Sequence, residues 1–233
     1  VITGDLVKSR RLEHNAMDAI IHSLKDTFDE INKRFLDQQG QFEIFRGDSF
    51  QAIVPKAEKA LLIALILRAR LRSYLPLPPA KGSRKTEKPI LNAFTDARIA
   101  IGIGKVRSTN RKVTESQGEA FENSGHLFDR LQKDNDRLGV ITPWPEVNQE
   151  LEVSCRLADA VIDRWTPSTA EAVFYHLMYN ENQSELAGRF NISQPALRKR
   201  LVVIGNMKSI NLFIGRFEQL ITGNITSGGY SEL

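Results

Sequence analysis

Apolar and polar positions follow two periods along this chain, and they change over at definite points. The opening "VITGDLV" reads as a strand, after which Glu13 to Phe35 keeps Met17, Ile20, Ile21, Leu24, Phe28, Ile31 and Phe35 at helical spacing. Phe42 to Phe45 and Ser49 to Val54 are short β-rich runs joined at Arg46-Gly47-Asp48, the pattern of a hairpin. Pro55 ends the second run, and Ala57 to Tyr74 predicts a helix so poor in polar residues between Ala60 and Leu67 that it should be buried. "ARIAIGIGKV" resumes a strand, Glu119 to Lys133 is helical, and "LGVIT" before Pro143 is a short final strand. The order β-α-β-β-α-β followed by α-β predicts an α+β fold of the split-βαβ, ferredoxin-like kind, with an antiparallel sheet covered by helices on one face. Other α+β sandwiches share this order of elements.

Beyond "TPWPEVNQE", which reads as a linker, every segment is helical: Leu151 to Trp165, Ser168 to Tyr179, Gln183 to Phe190, Gln194 to Ile204 and Ser209 to Ile221. The expected organisation is an α+β domain over 1–145, an all-α domain over 150–222, and a Gly- and Ser-rich tail over 223–233 that should be flexible. The stretch around Pro76, Pro78, Pro79 and Gly82, with Lys81, Arg84, Lys85 and Lys88, suits a mobile surface loop.

Length and composition sharpen this only in part. A chain of 233 residues with 41% hydrophobic and 26% charged residues suits one large or two modest soluble domains, and no apolar run reaches membrane-span length. The single Cys155 excludes an internal disulfide, which with no visible signal peptide leads to a cytoplasmic expectation and no membrane partner. The net charge of +4 is unevenly placed. Arg189, Arg198, Lys199, Arg200, Lys208 and Arg216 fall in a stretch without an acid, a footprint for phosphate as well as an ordinary solvated helix face.

"NQSELAGRFNISQPALRKRL" carries the strongest local signal. Ser184 can cap a helix that turns Leu186, Ala187 and Phe190 inward. Asn191-Ile192-Ser193 then makes a turn, in which Asn tolerates a left-handed backbone. Ser193 is a good N-cap, Pro195 belongs in a first helical turn, and Leu197 and Leu201 seat the second helix on the first. This is a helix-turn-helix pattern, with an ordinary helical hairpin as the alternative. Ser193, Gln194, Ala196, Arg198, Lys199 and Arg200 are the residues left to meet duplex DNA, Arg reading guanine edges and Gln adenine.

Asp5 ends the first strand and Asp48 sits in the hairpin between the next two, so strand neighbours would bring both carboxylates to one sheet edge. Two carboxylates a few ångströms apart repel, and a divalent cation with phosphate oxygens relieves that repulsion. Gly4 and Gly47 precede the two acids and leave room for a ligand, while Lys8 and Ser9, followed by Arg10 and Arg11, form either a phosphate-binding loop or a solvated basic turn. "GIG" at 102–104 lacks the spacing of a dinucleotide fingerprint, and the four scattered His residues give no case for zinc.

"ITGDLVKSR", "FRGDSFQAIV", "RIAIGIGKV" and "SQGEAFENSGHLFDRL" together resemble the SatD family of bacterial proteins, over most of the chain including the helix-turn-helix. The N-terminal half is also similar to the palm-like catalytic domain of class III nucleotide cyclases and diguanylate cyclases. That resemblance implies that Asp5 and Asp48 are metal-binding positions for Mg or Mn with a nucleotide, with Gly47 and Ser49 beside them. Ser49 stands where diguanylate cyclases have a second acid, and Glu122 and His126 stand where class III cyclases carry Asn and Arg. A Glu does not replace a neutral amide, nor a mostly neutral His a fixed cation. The expectation is therefore a DNA-binding regulator, with a non-catalytic palm-like domain for sensing or dimerisation and a homodimer as the working state. Its alternatives are a metal-dependent nucleotide cyclase or nucleotidyltransferase-like enzyme, and a nucleotide sensor, each using Asp5 and Asp48.

Overall fold

The computed structural model describes residues 1–7, 9, 14–45, 47–74, 95–108 and 113–227. The basic, Pro-rich stretch expected to be a mobile loop lies outside these residues, as do Lys8, Arg10, Arg11, Arg46 and the last six positions of the expected tail.

The chain is mixed α and β. Strands β1 (Ile2–Val7), β2 (Gln41–Phe45), β3 (Ser49–Ile53), β4 (Asp96–Gly102) and β7 (Leu138–Ile141) form one sheet in the order β2-β3-β1-β4-β7. The first four pair antiparallel, and β7 joins β4 in parallel. A separate two-stranded ribbon is made by β5 (Val106–Ser108) and β6 (Gln117–Gly118).

Alternation along the strands decides which face each helix covers. Ile2, Leu6, Phe50, Ala52, Ile99 and Ile101 point to one face and form a single apolar cluster with α1 (His14–Phe35), α2 (Ala60–Arg72) and α4 (Pro145–Ile162). The Phe28 ring of α1 stacks on Phe42 of β2 at 4.6 Å between centroids. On the opposite face α3 (Glu119–Asp134) packs Leu127 and Leu131 against Ala100. Thr3 of β1 donates a hydrogen bond of 3.0 Å to Ser124 of α3. Helices thus lie on both faces, correcting the one-face expectation. The extra α3-β7 unit accounts for this, since a right-handed crossover to a parallel strand must run over the sheet.

α2 is buried almost all round, as its sequence predicts. It lies between the sheet and a further layer containing α5 (Pro167–Tyr179) and α8 (Met207–Ser227), and the apolar cluster runs without interruption from β1 through α2 to Phe174, Leu186, Leu197 and Phe217. The stretch expected as a linker is largely the first turns of α4. Pro145 opens the helix, where its missing N–H is no loss, and Val147 is buried. α8 likewise extends to Ser227, five residues into the stretch expected to be flexible.

A buried charge network joins these layers. Asp96 of β4 accepts from Arg68 Nε and an Arg68 terminal nitrogen (both 3.1 Å), from Arg72 (2.9 Å) and from Arg137 (2.9 Å), as well as from the Ala97 backbone N–H (2.8 Å). Arg68 also pairs with Asp159 of α4, and Arg72 donates to the Asp163 and Trp165 carbonyls in the turn between α4 and α5. Arg68, Arg72 and Asp96 are 0%, 3% and 2% exposed.

Candidate functional site

The hairpin between β2 and β3 places Asp48. Its turn is possible because Gly47 takes φ +80°, a left-handed backbone that glycine adopts without strain. The Asp48 carbonyl accepts the Leu6 N–H at 2.9 Å, which ties the turn to β1. Pairing of β1 with β3 and β4 sets Asp5 directly between Ser49 and Arg98. Asp5 therefore shares one end of the sheet with Asp48.

The Asp5 carboxyl senses the Asp48 charge. Burial pushes the Asp5 carboxyl above its ordinary range, the Arg98 guanidinium pulls it back, and the Asp48 charge adds to the upward shift. Arg98 donates from one terminal nitrogen to both Asp5 oxygens at 3.3 Å, and from Nε to the Asp136 carbonyl at 3.3 Å. These bonds are long for a charge-assisted pair, so Arg98 neutralises Asp5 without gripping it. Asp48 accepts from the buried Ser9 hydroxyl at 2.7 Å and, more loosely, from Ser49 at 3.5 Å.

Arg98 was not legible as a site residue, although its signal was present. It is the one charged residue inside the apolar run "ARIAIGIG", and strand alternation puts it on the same face as Asp5. Gly4 takes a different role from the one expected. A Cβ there would lie 2.4 Å from the Phe50 ring and 2.9 Å from the Arg98 carbonyl, so the glycine is required by packing on the apolar side. Gly47 does have open space around it. Glu122 and His126 are exposed on α3, and Lys8 lies outside the described residues.

As a cation site, Asp5 and Asp48 supply two carboxylates, one of them already held by Arg98. Among the described residues no group of three His, Cys, Asp or Glu side chains could hold a metal ion. A divalent cation prefers about six oxygen ligands. Here it would need phosphate or water oxygens beside these two acids, and Arg98 would have to turn away from Asp5.

The second candidate is the pair α6 (Gln183–Arg189) and α7 (Gln194–Arg198). α6 is capped by Asn182, whose side chain accepts from Ser184 and Glu185 N–H groups while Glu185 reaches back to the Asn182 N–H at 2.9 Å. This capping box replaces the Ser184 cap expected from sequence. Asn191 takes φ +49° in the turn, and Ser193 caps α7 with Pro195 in its first turn. Ala187, Leu197 and Leu201 are buried, whereas Ser193, Gln194, Ala196, Arg198 and Lys199 are exposed. After Arg198 the helix widens to π geometry over Lys199–Ile204, closed by the Gly205 N–H donating to the Arg200 carbonyl at 2.7 Å.

The local basicity is smaller than the sequence suggests. Arg189 pairs with Glu181 and lies 4.6 Å over the Tyr175 ring, and Arg216 forms a two-pronged pair with Glu150 at 2.7 and 3.0 Å. Arg200 is half-buried, its guanidinium 5.9 Å from the Phe190 ring centre. Arg198, Lys199 and Lys208 keep exposed charge outside any ion pair among the described residues. The aromatic side chains of this region contact one another, Phe174 against Tyr175 and Tyr175 against Phe190.

Among the described residues no helix is long and apolar enough to cross a membrane. No family model, curated protein or solved structure matches the chain.

Proposed function

We propose that the chain is a DNA-binding regulatory protein of the SatD type, with a ferredoxin-like, palm-type domain followed by a helix-turn-helix, acting in the cytoplasm. The observation that carries the reading is the α6-turn-α7 geometry: a capped helix, a left-handed Asn191, a second capped helix, and Gln194, Ala196, Arg198 and Lys199 exposed together while Leu197 and Leu201 are buried. The order β4-β1-β3-β2, antiparallel throughout, supports the split-βαβ reading of the first part.

On this reading α7 enters the major groove, with Gln194 and Arg198 toward base edges and Lys199 toward phosphate. Fluorescence anisotropy with duplex DNA over a salt series tests it. Arg198→Glu with Lys199→Glu should weaken binding at least tenfold and lower the salt slope by about 1 per lost phosphate contact. Equal retention of wild type and variant at moderate salt overturns the assignment.

A nucleotide site at Asp5 and Asp48 is the second reading, favoured by the convergence of the two acids and the loose hold of Arg98. Asp5 and Asp48 would hold Mg or Mn, which would supply charge stabilisation to a triphosphate. Incubation with each nucleoside triphosphate and either ion, followed by mass spectrometry, tests turnover. No product, or equal product from Asp48→Asn, removes the enzyme. Thermal-shift measurement with the same nucleotides then tests the sensor.

A further inference from the structure

The exposed side of α4 has an order of its own. Val153 and Leu157, one turn apart, are 60% and 66% exposed, and Ala160 continues the same stripe. Leu212 of α8 is also 66% exposed. α8 is held beside α4 by the Glu150–Arg216 pair. Three of the five exposed large hydrophobic residues among those described thus belong to these two helices.

Charge brackets the stripe asymmetrically. Glu146 stands exposed in the first turn of α4, and Arg164 stands exposed just past its end. Neither is in an ion pair among the described residues, whereas the nearer charges Glu152 and Arg156 pair within the helix. A two-fold axis perpendicular to α4 at the level of Cys155 would lay one copy antiparallel on another. Val153 would then face Leu157 of the second copy, and Glu146 would face its Arg164. Both pairs centre on the same residue, because each acid or apolar position lies as far before Cys155 as its partner lies beyond it. At 1.5 Å per residue the two charge pairs sit about 27 Å apart, flanking an apolar middle.

We infer that the outer face of α4 is a self-association surface for a second copy of this chain, packed antiparallel about a two-fold axis. An isologous contact requires a patch complementary to itself under rotation, which the acid-apolar-base order of this helix provides. A parallel arrangement would instead oppose acid to acid and base to base. One helix with a flank from α8 makes a small interface, so dissociation is expected on the order of micromolar concentration. The inference does not depend on DNA binding or on the Asp5 site.

Sedimentation equilibrium of the full chain from about 1 to 200 μM should show a monomer-dimer equilibrium centred in the micromolar range. Leu157→Glu should shift it at least tenfold toward monomer while circular dichroism stays unchanged, since the side chain is exposed. Arg164→Glu should weaken the dimer and the double variant Glu146→Arg, Arg164→Glu should restore it, because antiparallel packing again opposes unlike charges. A monomer at every concentration overturns the proposal. So does a dimer indifferent to Leu157→Glu, or a charge-swapped double variant no tighter than Arg164→Glu alone.

Discussion

Replacing Asp96 with Asn tests what holds the helical layers to the sheet. The carboxylate is 2% exposed and accepts from three arginines, of which Arg68 and Arg72 are buried and Arg137 is about a quarter exposed. Asn keeps the shape but removes the charge, and it presents an N–H₂ group to guanidiniums that can only donate. Arg68 would retain Asp159, and Arg72 would retain the carbonyls of Asp163 and Trp165. Arg137 can turn to water or to Asp163. Two buried guanidiniums each lose charge-assisted bonds worth about 1.5–3 kcal/mol. The expected destabilisation is about 3–5 kcal/mol, as for breaking one side of a buried ion pair. That is a large part of the roughly 5–15 kcal/mol that holds a domain folded.

The assay is equilibrium urea unfolding at pH 7, read as a fall in midpoint at constant m-value. A second variant, Asp96→Asn with Arg72→Met, restores the balance of charge and should recover at least about 1.5 kcal/mol of the loss. A cost under about 1 kcal/mol, or strict additivity in the double variant, would refute the view that Asp96 balances the buried arginines. The pH dependence supplies an independent check. Burial alone would raise the Asp96 carboxyl, but Arg68, Arg72 and Arg137 outweigh burial and hold it below its ordinary range. Its stabilisation is therefore complete above the ordinary carboxylate range near pH 4 and is lost as pH falls through the lower folded value. Wild type and Asp96→Asn should converge in stability only in strong acid.

Asp5 should behave in the opposite sense, because its carboxyl is held above the ordinary value. Its ionisation costs the folded state, so Asp5→Asn should gain on wild type between pH 4 and 7, a shift that paired urea titrations at the two pH values detect. Gly4→Ala drives a methyl group into the Phe50 ring and should cost about 1–3 kcal/mol in the same assay. Asn182→Ala removes the capping box of α6 and should cost about 0.5–2 kcal/mol, seen by hydrogen exchange as faster opening of α6 amides. Equal protection in wild type and variant would show that packing of Leu186 alone fixes that helix.

Much of the architecture was legible because periodicity is a local property. The spacing of apolar residues predicted α1, α2, α3 and the five sheet strands, and the turn chemistry of Gly47, Asn191 and Ser193 marked the hairpin and the α6-α7 turn. Boundaries and local helix geometry were less legible. Pro145 read as part of a linker, although proline is equally at home in the first turn of a helix, and only the burial of Val147 against the shared core distinguishes the two. The widening of the second helix after Arg198 left no mark in the apolar pattern, since Leu197 and Leu201 suit α and π geometry alike.

The candidate site was half legible. Strand order alone implied that Asp5 and Asp48 would meet, but not that Arg98, across the next strand, would answer Asp5. The run of bases from Arg189 to Arg216 likewise gave no sign that Glu181 and Glu150 would pair with its two ends. By itself, then, the sequence determined the main helices and the five sheet strands and which side of each would be buried, because burial at a fixed period is set by neighbours one or two turns away. Only the tertiary structure decided which charges remain available, because ion pairs such as Asp5–Arg98, Arg68–Asp159 and Glu150–Arg216 join residues 93, 91 and 66 positions apart. Electrostatic pairing acts at a few ångströms through space and leaves no period along the chain.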